Sequence, residues 1–283
     1  RWLLRCTGPA RSEGLGGLPE AKYRVRMRIA ITRAVSPSIA DCELTHLERS
    51  PIDLDVARAQ HAAYEAVLAD LGCRVGRLQA EPDLPDSVFV EDIAVVLDEV
   101  AIITRPGATS RRGERSSIEQ VLAPHRTLAH IRSPGILDGG DVLVAGRDIH
   151  IGITSRSDTA AIDQFRSIVD DHGYRVHGTT VQGCLHLKSA VTAVDDDTLV
   201  LNPEWVDADD LGDRRCIAVD PSEPEAANVV RVGSTVLVAA AFPRTAERIS
   251  DAGFDVRAVE ASELAKAEGA LTCCSLLFEA SAQ

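Results

Sequence analysis

Residues 93–131 read IAVVLDEVAIITRPGATSRRGERSSIEQVLAPHRTLAHI. Two apolar runs, 93–96 and 100–103, flank a polar turn at Asp98-Glu99, the pattern of a tight hairpin. A helix is expected over 116–123, where Ser116 and Glu119 stand at capping-box spacing and Pro124 ends it. A further strand over 127–131 completes a strand-strand-helix-strand unit.

The same order returns along the chain. A second unit has strands at 142–144 and 149–151 around Gly146-Arg147-Asp148. Its helix covers 157–172, with Ala161, Ile162, Phe165, Ile168 and Val169 on one face and Gly173 at its end. A third pairs 190–194 with 198–201 across three aspartates, and only 204–211 is left for its helix. A fourth pairs 228–232 with 235–239 across Gly233-Ser234. Its helix opens at Pro243 and stops at Gly253, before a strand over 254–259. The remaining segments, 28–79 and 271–278, complete a fifth unit shared by the two ends of the chain. In it a helix over 53–71 lies behind Pro51 and is closed by Gly72. Five such units, spaced by roughly 40–50 residues, must stack to share a core. The expected fold is therefore α/β, a five-fold pseudo-symmetric ββαβ propeller, and the helix in each unit separates it from an all-β propeller.

At 283 residues the chain can bury a proper core, and its 45% hydrophobic and 26% charged content is that of a globular protein. A net charge of −13 disfavours nucleic acid as a partner, since phosphate binding needs clustered Lys and Arg. No apolar stretch approaches the ~20 residues that span a bilayer, so no membrane association is expected. Seven cysteines, an odd number without framework spacing, argue for free thiols in a reducing, cytoplasmic setting. The first 26 residues are basic, with Arg1, Arg5, Arg11, Lys22, Arg24 and Arg26 against Glu13 and Glu20. Met27, the single methionine, immediately precedes a strand pattern. We therefore expect 1–26 to be a leader, disordered or upstream of the natural start, and 27–283 to be one catalytic domain.

Four polar clusters follow strands, where loops on a rigid scaffold carry function. Asp86-Ser87-Val88-Phe89-Val90-Glu91-Asp92 holds three carboxylates around a strand-like centre. Leu137-Asp138-Gly139-Gly140-Asp141 has paired glycines that allow close backbone approach. Leu185-His186-Leu187-Lys188 carries a histidine entering a strand, in a setting where a buried core histidine is the ordinary reading. Arg33, Arg105, Arg156 and Arg244 follow second strands; most such arginines are surface residues, but a pair suits a carboxylate ligand. Near the C-terminus, GALTCCSLLF (269–278) reads as a strand, placing Cys273 and Cys274 on opposite faces. A pair of small buried hydrophobes is the bland reading of those cysteines. Asp138, His186 and Cys273 could instead supply an orienting carboxylate, an acid/base and a nucleophile. No spacing suggests a structural zinc site.

FVED (89–92), ITRPGA (103–108), LDGGD (137–141), HLKS (186–189) and LTCCS (271–275) together resemble the dimethylarginine dimethylaminohydrolase family of the guanidine-modifying (pentein) superfamily. The likeness runs from Met27 to Phe278 with the motifs in the family's order. It implies the five-fold propeller expected above, with Cys273 as nucleophile, His186 as acid/base and Asp138 holding the imidazole. It further implies Arg105 and Arg156 as a clamp on a substrate carboxylate. Asp86, Glu91, Asp92 and the backbone of Leu44 would surround the amino and guanidinium ends, with Phe89 lining the slot. Glu268 stands where the family carries Asp, and Ala267 beside it is smaller than usual; both are expected at the substrate.

The implied chemistry is hydrolysis of Nω-methylated arginine to citrulline and a methylamine, through a covalent thiouronium on cysteine, with neither cofactor nor metal. The implied ligand is a small cationic amino acid, methylarginine or arginine, and the chain is compatible with a homodimer. An arginine deiminase is the nearest rival, although those enzymes usually add a helical domain for which no insertion is visible. A non-catalytic propeller that binds a macromolecule is the rival from another class, and it has no need of Asp138, His186 and Cys273.

Overall fold

The computed structural model describes residues 26–281. The expected leader therefore lies almost wholly outside the described residues; its last residue, Arg26, already belongs to the first strand. The described residues form five three-stranded sheets. They are β1 (Arg26–Arg33) with β2 (Arg74–Leu78) and β15 (Leu276–Ser281); β3 (Ala94–Val96), β4 (Val100–Ile103) and β5 (Thr127–His130); and β6 (Val142–Ala145), β7 (Asp148–Ile153) and β8 (Arg175–Thr180). The other two are β9 (Val191–Ala193), β10 (Thr198–Leu201) and β11 (Arg215–Ala218), and β12 (Val230–Val232), β13 (Thr235–Ala239) and β14 (Asp255–Val259). In every sheet the middle strand is antiparallel to one neighbour and parallel to the other. The first sheet joins the two ends of the chain, with Ile29 opposite Phe278.

A parallel pair needs a crossover, and four units supply a helix for it. These are α1 (Leu54–Asp70), α2 (Arg115–Leu122) and α3 (Thr159–Val169), with one further helix, Pro243–Asp251, in the fourth unit. The third unit, whose helical segment was expected to be degenerate, crosses over through one 3-10 turn at Ala208–Leu211. Asp53 caps α1 by accepting from the N–H groups of Asp55 and Val56. The capping box expected at Ser116 is absent: a 3-10 turn over Thr109–Glu114 leads directly into α2, and no side chain caps it.

The middle strands explain how the units close on one another. Each is buried on both faces, which is why it reads as an apolar run rather than an alternation of apolar and polar. Its period of two instead decides which neighbouring core a side chain joins. On β4, Val100 and Ile102 pack with β6, β7 and α3, while Ala101 and Ile103 pack with β1 and β15. On β10, Leu199 and Leu201 meet β6, whereas Val200 meets Val229 and β13. On β13, Leu237 joins the core beneath α1. Five apolar cores thus lie between successive units, and the fifth returns to the first, closing the ring. Each fully buried Ile or Leu contributes about 1.5–3 kcal/mol.

Candidate active site

Inner strands β3, β6, β9 and β15 are each preceded by a short helical turn: Val90–Ile93, Gly139–Asp141, α4 (Leu187–Ala190) and Thr272–Cys274. This arrangement delivers the polar clusters to one end of the ring. It also corrects three expectations. Residues 88–92 are a turn rather than a strand-like segment, and His186 caps a one-turn helix rather than entering a strand. Cys273 and Cys274 lie in a 3-10 turn, so helical rotation and not strand alternation separates their side chains. The turn forms where Asn228 binds the Thr272 backbone N–H at 3.0 Å and donates to the Thr272 hydroxyl, itself 2.6 Å from Glu91.

Cys273, His186, Asp138, Asp92, Asp86, Phe89, Arg156, Ala267 and Glu268 line one small cavity of about 30 Å³. His186 is buried, with Nε2 donating to Asp138 at 3.2 Å and Nδ1 3.9 Å from Asp92. Burial opposes its charge, but the Asp92 carboxylate, the hydrogen bond to Asp138 and the charge of Asp141 outweigh it and raise its pKa to about 9. It is therefore an imidazolium at neutral pH. Burial, reinforced by the charges of Glu91 and Asp92, pushes the Cys273 thiol up to about 12. Burial raises Asp92 as well, yet the charges of His186 and Arg111 prevail and hold it below the ordinary carboxylate value. Asp86 is raised by burial against the pull of Arg111.

The paired glycines make this packing possible. A Cβ on Gly140 would lie 2.6 Å from His186 Nδ1 and 2.7 Å from Asp92 Oδ1, and the Gly140 N–H donates to Asp92 at 3.0 Å. On the far side, Asp138 accepts from the Gly107 N–H at 2.8 Å. Phe89 closes against Gly269, where a Cβ would strike the ring.

Two expected site residues, Arg105 and Glu91, fall elsewhere. Arg105 hydrogen-bonds the Gly135 carbonyl at 3.1 Å and borders a different cleft, so it is not part of the cavity. Glu91 turns away from the cavity: its carboxylate takes Lys188 at 2.6 Å and Thr272, and borders a central channel of about 280 Å³ among the inner strands. The Leu44 side chain packs on the core, while its backbone, the part expected near the substrate, belongs to a loop over 43–48 whose Glu43 lines the cavity.

That loop covers the cavity through a residue whose role was not legible in the sequence. Glu268, at φ 56, accepts from the backbone N–H groups of Thr45, His46 and Leu47. Three N–H donors on one carboxylate form a latch, and the left-handed backbone aims it there. Arg156 adds a bond to the Thr45 hydroxyl at 3.1 Å.

Arg111 was missed. It lies six residues past Arg105 in an arginine-rich stretch, where no spacing distinguishes it. It is buried beside Asp92 and Glu114 and also donates to the carbonyls of Asp86 and Phe89. Glu43 was missed too; its N–H donates to Asp86 at 3.1 Å.

Asp92, Asp138 and His186 bring potential metal ligands within 4.8 Å of one another. A ligating imidazole must be neutral, whereas these carboxylates hold His186 protonated, and Arg111 already neutralises Asp92. The set is better suited to giving a proton than to holding an ion.

A family model described as eukaryotic N,N dimethylarginine dimethylhydrolase matches residues 46–233. The N(G),N(G)-dimethylarginine dimethylaminohydrolase of Streptomyces coelicolor is 40% identical over 248 residues, 87% of this chain and 95% of that protein. A dimethylarginine dimethylaminohydrolase from Pseudomonas aeruginosa, solved as a cysteine-to-serine variant complexed with citrulline, superposes with a TM-score of 0.85 at 32% identity. The match covers 89% of this chain and all of that one. The N-terminal domain of ArgZ, a cyanobacterial arginine dihydrolase, shares the fold with a TM-score of 0.80 at 19% identity, over 88% of this chain and 97% of that domain. The five-fold ββαβ pentein propeller is thus common to all of them.

Proposed function

The chain belongs to the dimethylarginine dimethylaminohydrolase family, a group of hydrolases acting on amidine C–N bonds, and from this we propose that it converts Nω-methylated arginine to citrulline and a methylamine. One observation carries the reading: His186, held protonated between Asp92 and Asp138, lines the same cavity as Cys273. A general acid, a nucleophile and buried carboxylates for a cation are what displacement at a guanidinium carbon requires.

Without a cationic ligand Cys273 is a thiol. A guanidinium seated against Asp92 and Asp86 supplies the missing positive charge, and the thiol proton leaves for solvent. The thiolate adds to the guanidinium carbon. His186 donates its proton to the methylated nitrogen, which departs as the amine and leaves a thiouronium on Cys273. Neutral His186 then takes a proton from water as the oxygen adds; the C–S bond breaks with Cys273 leaving as the thiolate, and the remaining hydroxyl proton passes to solvent as the citrulline carbonyl forms. Asp138 keeps the imidazole oriented through both steps. Arg156, whose recorded side-chain hydrogen bond is to Thr45, is the partner for the α-carboxylate. Arg111 is committed to Glu114, Asp92 and two carbonyls, and its task is to neutralise and aim Asp92. We assign the reaction to a single domain over residues 27–283.

Citrulline release from asymmetric dimethylarginine and from arginine tests the proposal. Turnover of the methylated substrate with little from arginine is expected. Faster turnover of arginine would make the chain a deiminase, and no citrulline from either would overturn the reading.

A further inference from the structure

Arg105 stands in one of the motifs singled out above, yet the cavity does not use it. Its side chain instead borders an open cleft of about 520 Å³ together with Arg115, Arg132, His130 and Glu119. Three arginines meet one carboxylate there. Glu119 lies 3.6 Å from Arg115 and 3.4 Å from His130, so the only acid bordering the cleft is already shared. The Nε of Arg115 is buried without a hydrogen-bond partner, and the Arg105 guanidinium makes one hydrogen bond, to the Gly135 carbonyl. A buried donor left unmade is costly, so a position of this kind favours an acceptor. The excess of positive charge is local, in a chain whose net charge is −13. The chain as a whole would repel an anion, so binding at this cleft must come from its own groups.

We infer that this cleft binds a small molecule carrying two or more negative charges as carboxylate or phosphate groups. Guanidinium forks recognise both groups in a bidentate manner, and three forks around one space suit a multiply charged anion better than a single carboxylate. The site is separate from the cavity of Cys273 but shares a wall with it. Leu137 and Arg105 are bridged, with the Leu137 N–H donating to the Arg105 carbonyl at 2.9 Å, and Leu137 adjoins Asp138. Two residues beyond Arg105, the Gly107 N–H donates to Asp138. A ligand on Arg105 would therefore rest against the backbone that holds the carboxylate behind His186.

Isothermal titration of the full chain with inorganic phosphate, and separately with citrate, at constant ionic strength is the test. The two arms distinguish phosphate from carboxylate recognition. Saturable one-site binding of at least one probe is expected, retained in Arg156→Ala, which removes the arginine proposed to hold a carboxylate in the Cys273 cavity. Arg115→Ala and Arg132→Ala should each weaken it roughly tenfold or more, as loss of a charged hydrogen bond does. Arg132 is exposed, so Arg132→Glu provides a charge reversal that leaves the core untouched, and it should abolish binding. Absence of saturable binding for both probes would overturn the inference. So would binding that survives Arg132→Glu, or that disappears in Arg156→Ala.

Discussion

The backbone N–H of Thr45 donates to the carboxylate of Glu268 at 2.9 Å, across 223 residues of sequence. With His46 and Leu47 on the same carboxylate, this contact holds a surface loop at the cavity of Cys273, which Glu268 itself lines.

Glu268→Ala removes the acceptor of three N–H groups. The 43–48 loop should then be cut faster by protease, and KM should change about tenfold, the scale of a lost charged hydrogen bond. Glu268→Gln, which keeps the shape, should fall between the two. Unchanged proteolysis in Glu268→Ala would show that other contacts hold the loop.

Cys273 and Cys274 should separate sharply. Cys273→Ser should lower kcat by about a thousandfold or more, as removal of a nucleophile does elsewhere. Cys274 is buried, with Sγ 3.4 Å from the Ala270 carbonyl, which a serine hydroxyl can also reach. Cys274→Ser should keep most activity. Peptide mapping after alkylation by a haloacetamidine should find the label on Cys273, with methylarginine protecting it; a label on Cys274 would reverse the assignment.

His186 predicts the alkaline limit. Its folded pKa of about 9 lies above the ordinary value, so the stability it adds is fully present below about 6.5 and is lost as pH rises through 9. The acid needed for amine departure is lost over the same upper range, and kcat/KM should decline there. Asp138→Asn removes the negative charge that favours the imidazolium, so both the limb and the histidine titration seen by NMR should move toward acid. A limb that stays in place would indicate that another group sets it.

Arg156→Ala should raise KM for methylarginine roughly ten- to a hundredfold, the worth of a charge-assisted pair. A methylguanidine lacking the carboxylate should be nearly unaffected. Equal loss on both substrates would mean that Arg156 acts through Asp138, 4.0 Å from its guanidinium, rather than on the carboxylate.

Much of this protein is legible without coordinates, because it rests on local pattern. The apolar runs over 93–96 and 100–103, the turn between them, Pro243 and Gly253 around a helix, and the two glycines of 137–141 all act within a few residues. Hairpins, crossover helices and the shared first sheet follow from them. Four of the matched motifs likewise placed Cys273, His186, Asp138 and Asp92 in one set, the family resemblance added Asp86, and all five line the cavity. What only the tertiary structure decided is the direction of side chains on short turns. A strand has a fixed alternation, but the Thr272–Cys274 turn takes its rotation from Asn228 and Glu91, more than forty residues away. For the same reason Glu91 faces the central channel while Asp92, its neighbour, faces the cavity. Arg111 rather than Arg105 reaches Asp92, because a 3-10 turn after β4 carries the chain back across the site. Glu268 holds a loop because its left-handed backbone turns it there. Sequence periodicity assigns a residue to a face of its own element; which neighbour that face meets is settled only when the ring closes.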